Sequence, residues 1–297
     1  MKCDLCPRKC LVDRKKGEKG ICGQTENLKV ARAALHFWEE PCISGDAGSG
    51  AVFFSGCPLH CVFCQNENIA NGTVGKEISV ERLAEIFLEL QEKGANNINL
   101  VTPGHFVPQI TKALDLAKQE GLKLPIVYNT SSYETVETIK RLEGYVDIYL
   151  PDFKYMSPGL SKKYSHAPDY AEVAKAAIAE MVRQTGKAVF VNGDEDNLIL
   201  RGTIVRHLTL PGCMADSMQI LKYLHETYGD MIYISIMNQF TPLSNLEKYP
   251  ELNRRITDEE YETLVDYAID IGIENGFIQE GDTAEESFIP AFDCEGV

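Results

Sequence analysis

The chain has little positive charge, no long apolar run and no repeats, and each absence excludes something. Against 44 Asp and Glu stand only 29 Lys and Arg, for a net charge of −15 over 297 residues. A nucleic-acid binder carries a basic face, so no nucleic acid is expected as a partner. Arg14-Lys15-Lys16 is the one hint of a basic stripe, too little for a zinc-finger-like nucleic-acid module over residues 1–24. No stretch approaches the roughly 18–20 apolar residues of a membrane helix. Met1-Lys2-Cys3-Asp4 lacks a signal-peptide pattern. The expectation is a cytoplasmic protein with no membrane partner. Low-complexity tracts are also missing. What remains, 44% hydrophobic and 25% charged residues, is ordinary globular composition, with length for one large α/β domain or two small ones.

Cysteine is what the chain does have. Ten are present, grouped at short spacings, which in a reducing compartment argues for metal rather than disulfides. Cys57, Cys61 and Cys64 follow the apolar run Ala51-Val52-Phe53-Phe54, as a catalytic loop follows a buried strand. The spacing Cys-x3-Cys-x2-Cys puts three thiolates in one tight turn, which suits an iron–sulfur cluster with one iron left open. A zinc site would want a fourth protein ligand, and His60 is too close in sequence to Cys61 to share a metal with it. A second set, Cys3-x2-Cys6-x3-Cys10-x11-Cys22, is closed by its fourth thiol. It suits structural zinc, the slightly favoured choice, or a fully ligated iron–sulfur cluster. Residues 1–34 are therefore read as a metal-binding segment and 35–297 as one further domain. Cys42, Cys213 and Cys294 are isolated and read as plain thiols. Glu39 and Glu40 read as solvated charges, and Gly45 to Gly50 as a loop.

From residue 51 onward the pattern alternates. Strand-like runs at 51–54, 97–102, 124–129, 146–151, 202–210 and 231–237 are separated by helical patterns near 79–93, 107–120, 133–142, 168–185, 213–228 and 257–273. Ser79 precedes Leu83, Ile86, Phe87 and Leu90, spaced for one helix face. Thr257 offers an N-cap, with acids behind it. Six strand–helix pairs imply a parallel sheet with right-handed crossovers, and are too few for a closed eight-fold barrel.

The loop Gly56-Cys57-Pro58, continued by Cys61-Val62-Phe63-Cys64-Gln65-Asn66 with its aromatic before the third cysteine, resembles the signature of the radical S-adenosylmethionine (radical SAM) superfamily. Its flanks are most similar to the pyruvate formate-lyase activating enzyme branch, and the N-terminal cysteine segment is similar to that of uncharacterised members of that branch. The resemblance implies an α/β fold, a partial (β/α)6 TIM-like barrel. It also implies a [4Fe-4S] cluster on Cys57, Cys61 and Cys64 whose open iron chelates S-adenosylmethionine. One-electron reduction then yields a 5′-deoxyadenosyl radical that abstracts hydrogen from a protein, such as a glycyl-radical enzyme, or from another substrate. A flavodoxin or ferredoxin would supply the electron.

Ligands of parallel sheets lie at the carboxyl ends of the strands. The second strand ends in Val101-Thr102-Pro103-Gly104-His105, where the family commonly has a Gly-Gly-Glu bend. Backbone around Thr102, Pro103 and Gly104 would replace that glutamate. His105 reads either as a substrate-side acid or base or as a satisfied polar residue. Asn129 ends the third strand and is taken as a cofactor contact, with Ser132 as a helix cap. Alternation puts Asp152 and Lys154 on one side, and their spacing resembles the activating enzymes' Asp-x-Lys motif. Arg206 opens a similar Arg-aromatic-apolar-x-apolar-Pro-Gly stretch, with His207 packed on the opposite face. The sixth strand lacks the activating enzymes' histidine, leaving Gln239 as a cofactor contact and Asn238 on the substrate side. Phe63 completes the expected cofactor contacts. The cofactor does the hard chemistry, so no catalytic side chain is assigned. The alternative is a non-catalytic iron–sulfur or zinc redox sensor, which would have no need for Asn129, Asp152, Lys154 and Arg206.

Overall fold

The computed structural model describes residues 2–194, 197–243, 246–279 and 290–297. Its strands are β1 (Leu28–His36), β2 (Ser49–Phe54), β3 (Lys76–Ile78), β4 (Ile98–Val101), β5 (Ile126–Thr130), β6 (Ile148–Pro151), β7 (Val189–Phe190), β8 (Ile199–Leu208), β9 (Tyr233–Met237) and β10 (Gly276–Ile278). The helices are α1 (Pro41–Ser44), α2 (Glu67–Ala70), α3 (Val80–Glu92), α4 (Val107–Gln119), α5 (Val136–Lys140), α6 (Pro158–Ser165), α7 (Tyr170–Thr185), α8 (Met214–Tyr228) and α9 (Asp258–Asp270).

The strands form one sheet in the order β10-β9-β8-β6-β5-β4-β2-β1-β3, with β7 paired to β8 off this path. β2, β4, β5, β6, β8, β9 and β10 are parallel. β1 is antiparallel to β2, and β3 to β1. Among the described residues β10 and β3 are opposite ends of the sheet, so it is an open partial barrel. The six expected parallel strands are all present. β10 adds a seventh, and β1 with β3 forms an antiparallel flap that the sequence reading missed. The alanines of β1 have weak strand preference, and the sheet pairing begins at Leu28, inside the expected N-terminal segment.

Parity along each strand sorts the two faces. Ile98, Leu100, Ile126, Tyr128 and Tyr149 pack with Leu83, Ile86, Phe87, Leu90, Ile110 and Leu114 of α3 and α4. Burial of each such aliphatic or aromatic side chain is worth about 1.5–3 kcal/mol. The opposite face carries Val127, Ile148, Leu150 and Ile204, which surround Cys42 and Ile43 of α1. α1 is thus a plug within the barrel. Asn96 and Asn97 hold it through the Ser44 and Ile43 carbonyls, at 2.6 and 2.7 Å.

Two helix starts behave as expected: Ser79 accepts from the Arg82 amide, and Thr257 forms a reciprocal capping box with Glu260. A third does not. Thr135, rather than Ser132, caps α5, so that helix begins three residues later than expected. Ser132 sits in the left-handed region (φ 63°) and donates to the Asp152 carbonyl at 2.6 Å. No helix among the described residues is long and apolar enough to cross a membrane.

Candidate active site

One cavity opens at the carboxyl ends of the parallel strands. It is lined by Cys57, Cys61 and Cys64 from the loop after β2 and by Phe63 between them. Thr102, Asn129, Asp152, Arg206 and Gln239, at or just past the ends of β4, β5, β6, β8 and β9, complete it with Lys154 and Glu39. Six residues expected from strand-end reading, Thr102, Asn129, Asp152, Lys154, Arg206 and Gln239, therefore converge on the three thiols. The loop needs Gly56, which has φ 92°, and a Cβ there would collide with the Cys22 carbonyl.

None of the three thiols is in a disulfide. Burial raises all three, with Cys57 pushed up to about 11, while the Lys154 ammonium pulls the other way. The Leu59 amide donates to the Cys57 sulfur at 3.5 Å, and the Ser165 hydroxyl to the Cys61 sulfur at 3.0 Å. Buried thiols with aimed donors are poor thiolates alone and good ones under a metal. Among the described residues, no three His, Cys, Asp or Glu side chains are arranged to hold a single metal ion. The donor set fits a larger soft centre bound by three thiolates.

Facing the thiols is a network of charges in near-complete burial. Arg206 donates to Glu39 Oε2 at 3.0 Å, to Asn129 Oδ1 at 2.7 Å and to Asp152 Oδ1 at 3.0 Å. Lys154 donates to Asp152 Oδ2 at 2.7 Å. Burial disfavours the Asp152 charge, yet Lys154 and Arg206 together hold its carboxyl below the usual value. Burial likewise opposes the charges of Lys154 and Arg206, and the carboxylates overcome it and raise both. Two cations meet two carboxylates, so the network is balanced. That is the condition under which buried charge is tolerated. It fits a zwitterionic ligand, whose ammonium and carboxylate can each find an opposite partner.

Glu39 is a correction. Expected as a solvated charge, its side chain is only 8% exposed. It accepts from Asn99 and Asn129 at 3.0 and 3.1 Å as well as from Arg206. The plug α1 carries it there, since Glu39 lies two residues before Pro41. Glu40 is buried too, and burial raises its carboxyl. Asn99 was also missed. Its signal was an amide at every second position, Asn97 and Asn99, inside an apolar strand.

Other expected contacts fall outside the cavity. Thr102 takes φ 56°, and this bend turns the following residues away. The Pro103 carbonyl accepts from the Phe106 amide at 2.8 Å, and Pro103 does not line the cavity. Gly104 lies against the buried Glu134 carboxyl. His105 is buried, with Nε2 on the Ser55 carbonyl at 2.7 Å, and burial lowers its pKa to about 3. It is a neutral packed residue that does not line the cavity. Asn238 does not line the cavity, although Met237 and Gln239 on either side do. His207 is packed as expected, between the Phe153 carbonyl and the Ser217 hydroxyl, both at 2.8 Å.

A curated relative, an uncharacterized protein of Methanocaldococcus jannaschii, is 27% identical over 276 residues, covering 90% of this chain and 74% of the relative. Among solved structures, Streptococcus suis SuiB bound to S-adenosylmethionine superposes with a TM-score of 0.50 at 13% identity, covering 76% of this chain and 49% of SuiB. HydG, a maturase of the [FeFe]-hydrogenase, gives 0.51 at 15% identity, covering 78% of this chain and 52% of HydG. The chain thus spans about half the length of these two structures, and the likeness at such identity is one of fold. Residues 51–198, from β2 to the start of β8, match the Radical SAM superfamily. That stretch contains the cysteine loop and the Asp152–Lys154 pair, and the chain belongs to the radical SAM superfamily.

Proposed function

We propose that the chain is a radical SAM enzyme that binds a [4Fe-4S] cluster through Cys57, Cys61 and Cys64. The observation carrying this reading is the convergence of three free thiols and a charge-balanced network on one cavity. When bound, cluster and S-adenosylmethionine supply a primary carbon radical that takes a hydrogen atom from substrate. The chain's own residues bind and orient. Asp152 and Glu39 would meet the amino group of the methionine moiety, Lys154 and Arg206 its carboxylate, and Phe63 walls the thiols. Low dielectric in this buried site strengthens each of these pairings.

The substrate we propose is a backbone glycine of a protein partner, in the manner of glycyl-radical enzyme activation. A second hollow, lined by Phe37, Trp38, Pro41, Asn96, Leu198 and Gln279, shares Trp38, Glu39 and Gln239 with the first cavity. That continuity supports an elongated substrate over a small compact one. A reduced flavodoxin or ferredoxin in the cytoplasm is the matching electron source. A non-catalytic redox sensor would leave Arg206, Asp152 and Lys154 without a purpose.

The test is anaerobic reconstitution followed by dithionite and S-adenosylmethionine, with 5′-deoxyadenosine as the readout. The Cys57→Ala, Cys61→Ala, Cys64→Ala variant runs alongside. Loss of 5′-deoxyadenosine in the variant, together with the share of iron that these three cysteines hold, is expected. Wild type that loads iron and leaves S-adenosylmethionine intact would sink the reading.

A further inference from the structure

Residues 2–27 hold their shape without a core. Their one regular element is a 3-10 turn, Arg14–Lys16. Among them the only buried hydrophobic side chains are Cys6 and Cys22, while Leu11 and Ile21 are about half exposed, at 54% and 49%. A stretch so poor in buried apolar surface needs a staple of another kind.

The four thiols are built for one. Lys9 and Leu11, on either side of Cys10, take left-handed φ of 41° and 55°, which L residues adopt only under constraint. The Cys3 amide donates to the Val12 carbonyl, and the Leu11 amide to the Cys3 carbonyl. These bonds close a loop around Cys6 and Cys10. The Ile21 amide donates to the Cys10 sulfur at 3.3 Å. The Cys57 sulfur likewise receives an amide, that of Leu59. Cys6 lies within electrostatic reach of Cys10 and Cys22, and Cys22 of Cys3 and Cys10. All four are free thiols.

This segment grips the first cysteine loop. Arg8 donates to the carbonyls of Pro58, His166 and Ser165 at 2.9, 2.6 and 3.1 Å, and Ser165 is the residue bonded to the Cys61 sulfur. His60 Nε2 bonds the Ile21 carbonyl at 2.7 Å. The Cys22 carbonyl presses on Gly56, which directly precedes Cys57.

We propose that Cys3, Cys6, Cys10 and Cys22 bind a second thiolate-ligated metal centre, which staples residues 2–27 and thereby fixes the 56–64 loop. A single zinc would draw the four thiols inward, whereas an iron–sulfur cluster would span them. The chemistry at the ligands is the same, and the metal counts below separate the two. Neither half of the inference depends on the proposed function.

The experiment uses the full chain with Cys57, Cys61 and Cys64 replaced by alanine. It is loaded anaerobically with zinc in one arm and with iron and sulfide in the other. About one zinc or about four irons per chain are expected, and Cys6→Ser with Cys22→Ser should abolish the uptake. Amide hydrogen exchange over residues 56–64 is then compared before and after a chelator strips the loaded protein, which removes the metal without a further mutation. Faster exchange there, with β4 to β6 unchanged, is expected. Uptake no greater than in the variant that also carries Cys6→Ser and Cys22→Ser, or exchange at 56–64 that ignores the metal, would overturn the inference.

Discussion

Arg206 and Glu39 are 167 residues apart in sequence and bonded at 3.0 Å in the structure. The pair joins the end of β8 to the segment that leads into the α1 plug, and it lies beside the Asp152 carboxylate. Removing one partner of a buried pair leaves an uncompensated charge, at a cost of about 3–5 kcal/mol. Arg206→Met should therefore lower the melting temperature of the metal-free protein markedly and weaken S-adenosylmethionine binding in the reconstituted one. Calorimetry and equilibrium binding check the two effects. A variant that binds S-adenosylmethionine as tightly as wild type removes Arg206 from the site.

Glu39→Gln keeps the shape and removes the charge. A hydrogen bond to a charged group is worth about 1.5–3 kcal/mol, so binding of S-adenosylmethionine should fall roughly 10- to 150-fold, with the cluster still loaded. Iron counts and binding measured on the same preparation separate cofactor loss from cluster loss. Unchanged affinity would mean that Glu39 serves only to anchor α1.

Ser165 donates to the Cys61 sulfur at 3.0 Å and bonds Tyr155 at 2.8 Å. A donor on a ligating sulfur favours the more negative, reduced state of a cluster. Ser165→Ala should make the reduction potential more negative, as read by an EPR-monitored titration. A shift to more positive potential, or none, contradicts that role.

His207 gives a pH dependence. Its Nδ1–H donates to the Phe153 carbonyl, which leaves Nε2 to accept from Ser217, so the folded ring is neutral and burial lowers its pKa to about 4. The unfolded chain takes up the proton near pH 6.5 and the folded one only near 4. Stability contributed by the neutral ring is thus full above about pH 6.5 and is lost as pH falls toward 4, by up to about 3 kcal/mol. Denaturant melts of metal-free wild type should show a steeper acid decline across that window than His207→Gln. Parallel slopes would show that the ring is protonated without cost.

Strand ends and cysteine spacing were legible because both rest on local rules. Alternation along a strand put Asp152 beside Lys154, and the apolar run into Cys57 announced the loop. The helix faces of α3 and α9 were equally readable from spacing and caps. What escaped depends on partners far along the chain. Glu39 looks like a surface charge beside Trp38 and Glu40 until α1 is seen inside the barrel. Pro103 was expected at the cavity, and His105 read either as a substrate-side group or as a satisfied polar residue, because both follow a strand end; the left-handed Thr102 turns the chain away. Arg8 gave no signal at all, since the three carbonyls it binds belong to residues 58, 165 and 166.

The spread of the cavity over β2 to β9 also has a temporal meaning. A ribosome releases all seven clustered cysteines within the first 64 residues, whereas Lys154, Ser165, Arg206 and Gln239 follow much later. Contacts so far apart in sequence form late and slowly. During synthesis the thiols are therefore bare, without the groups that bury and hydrogen-bond them. Oxygen or stray copper would find them most open in that interval, and cluster insertion belongs after the strand that carries Arg206 has joined the sheet.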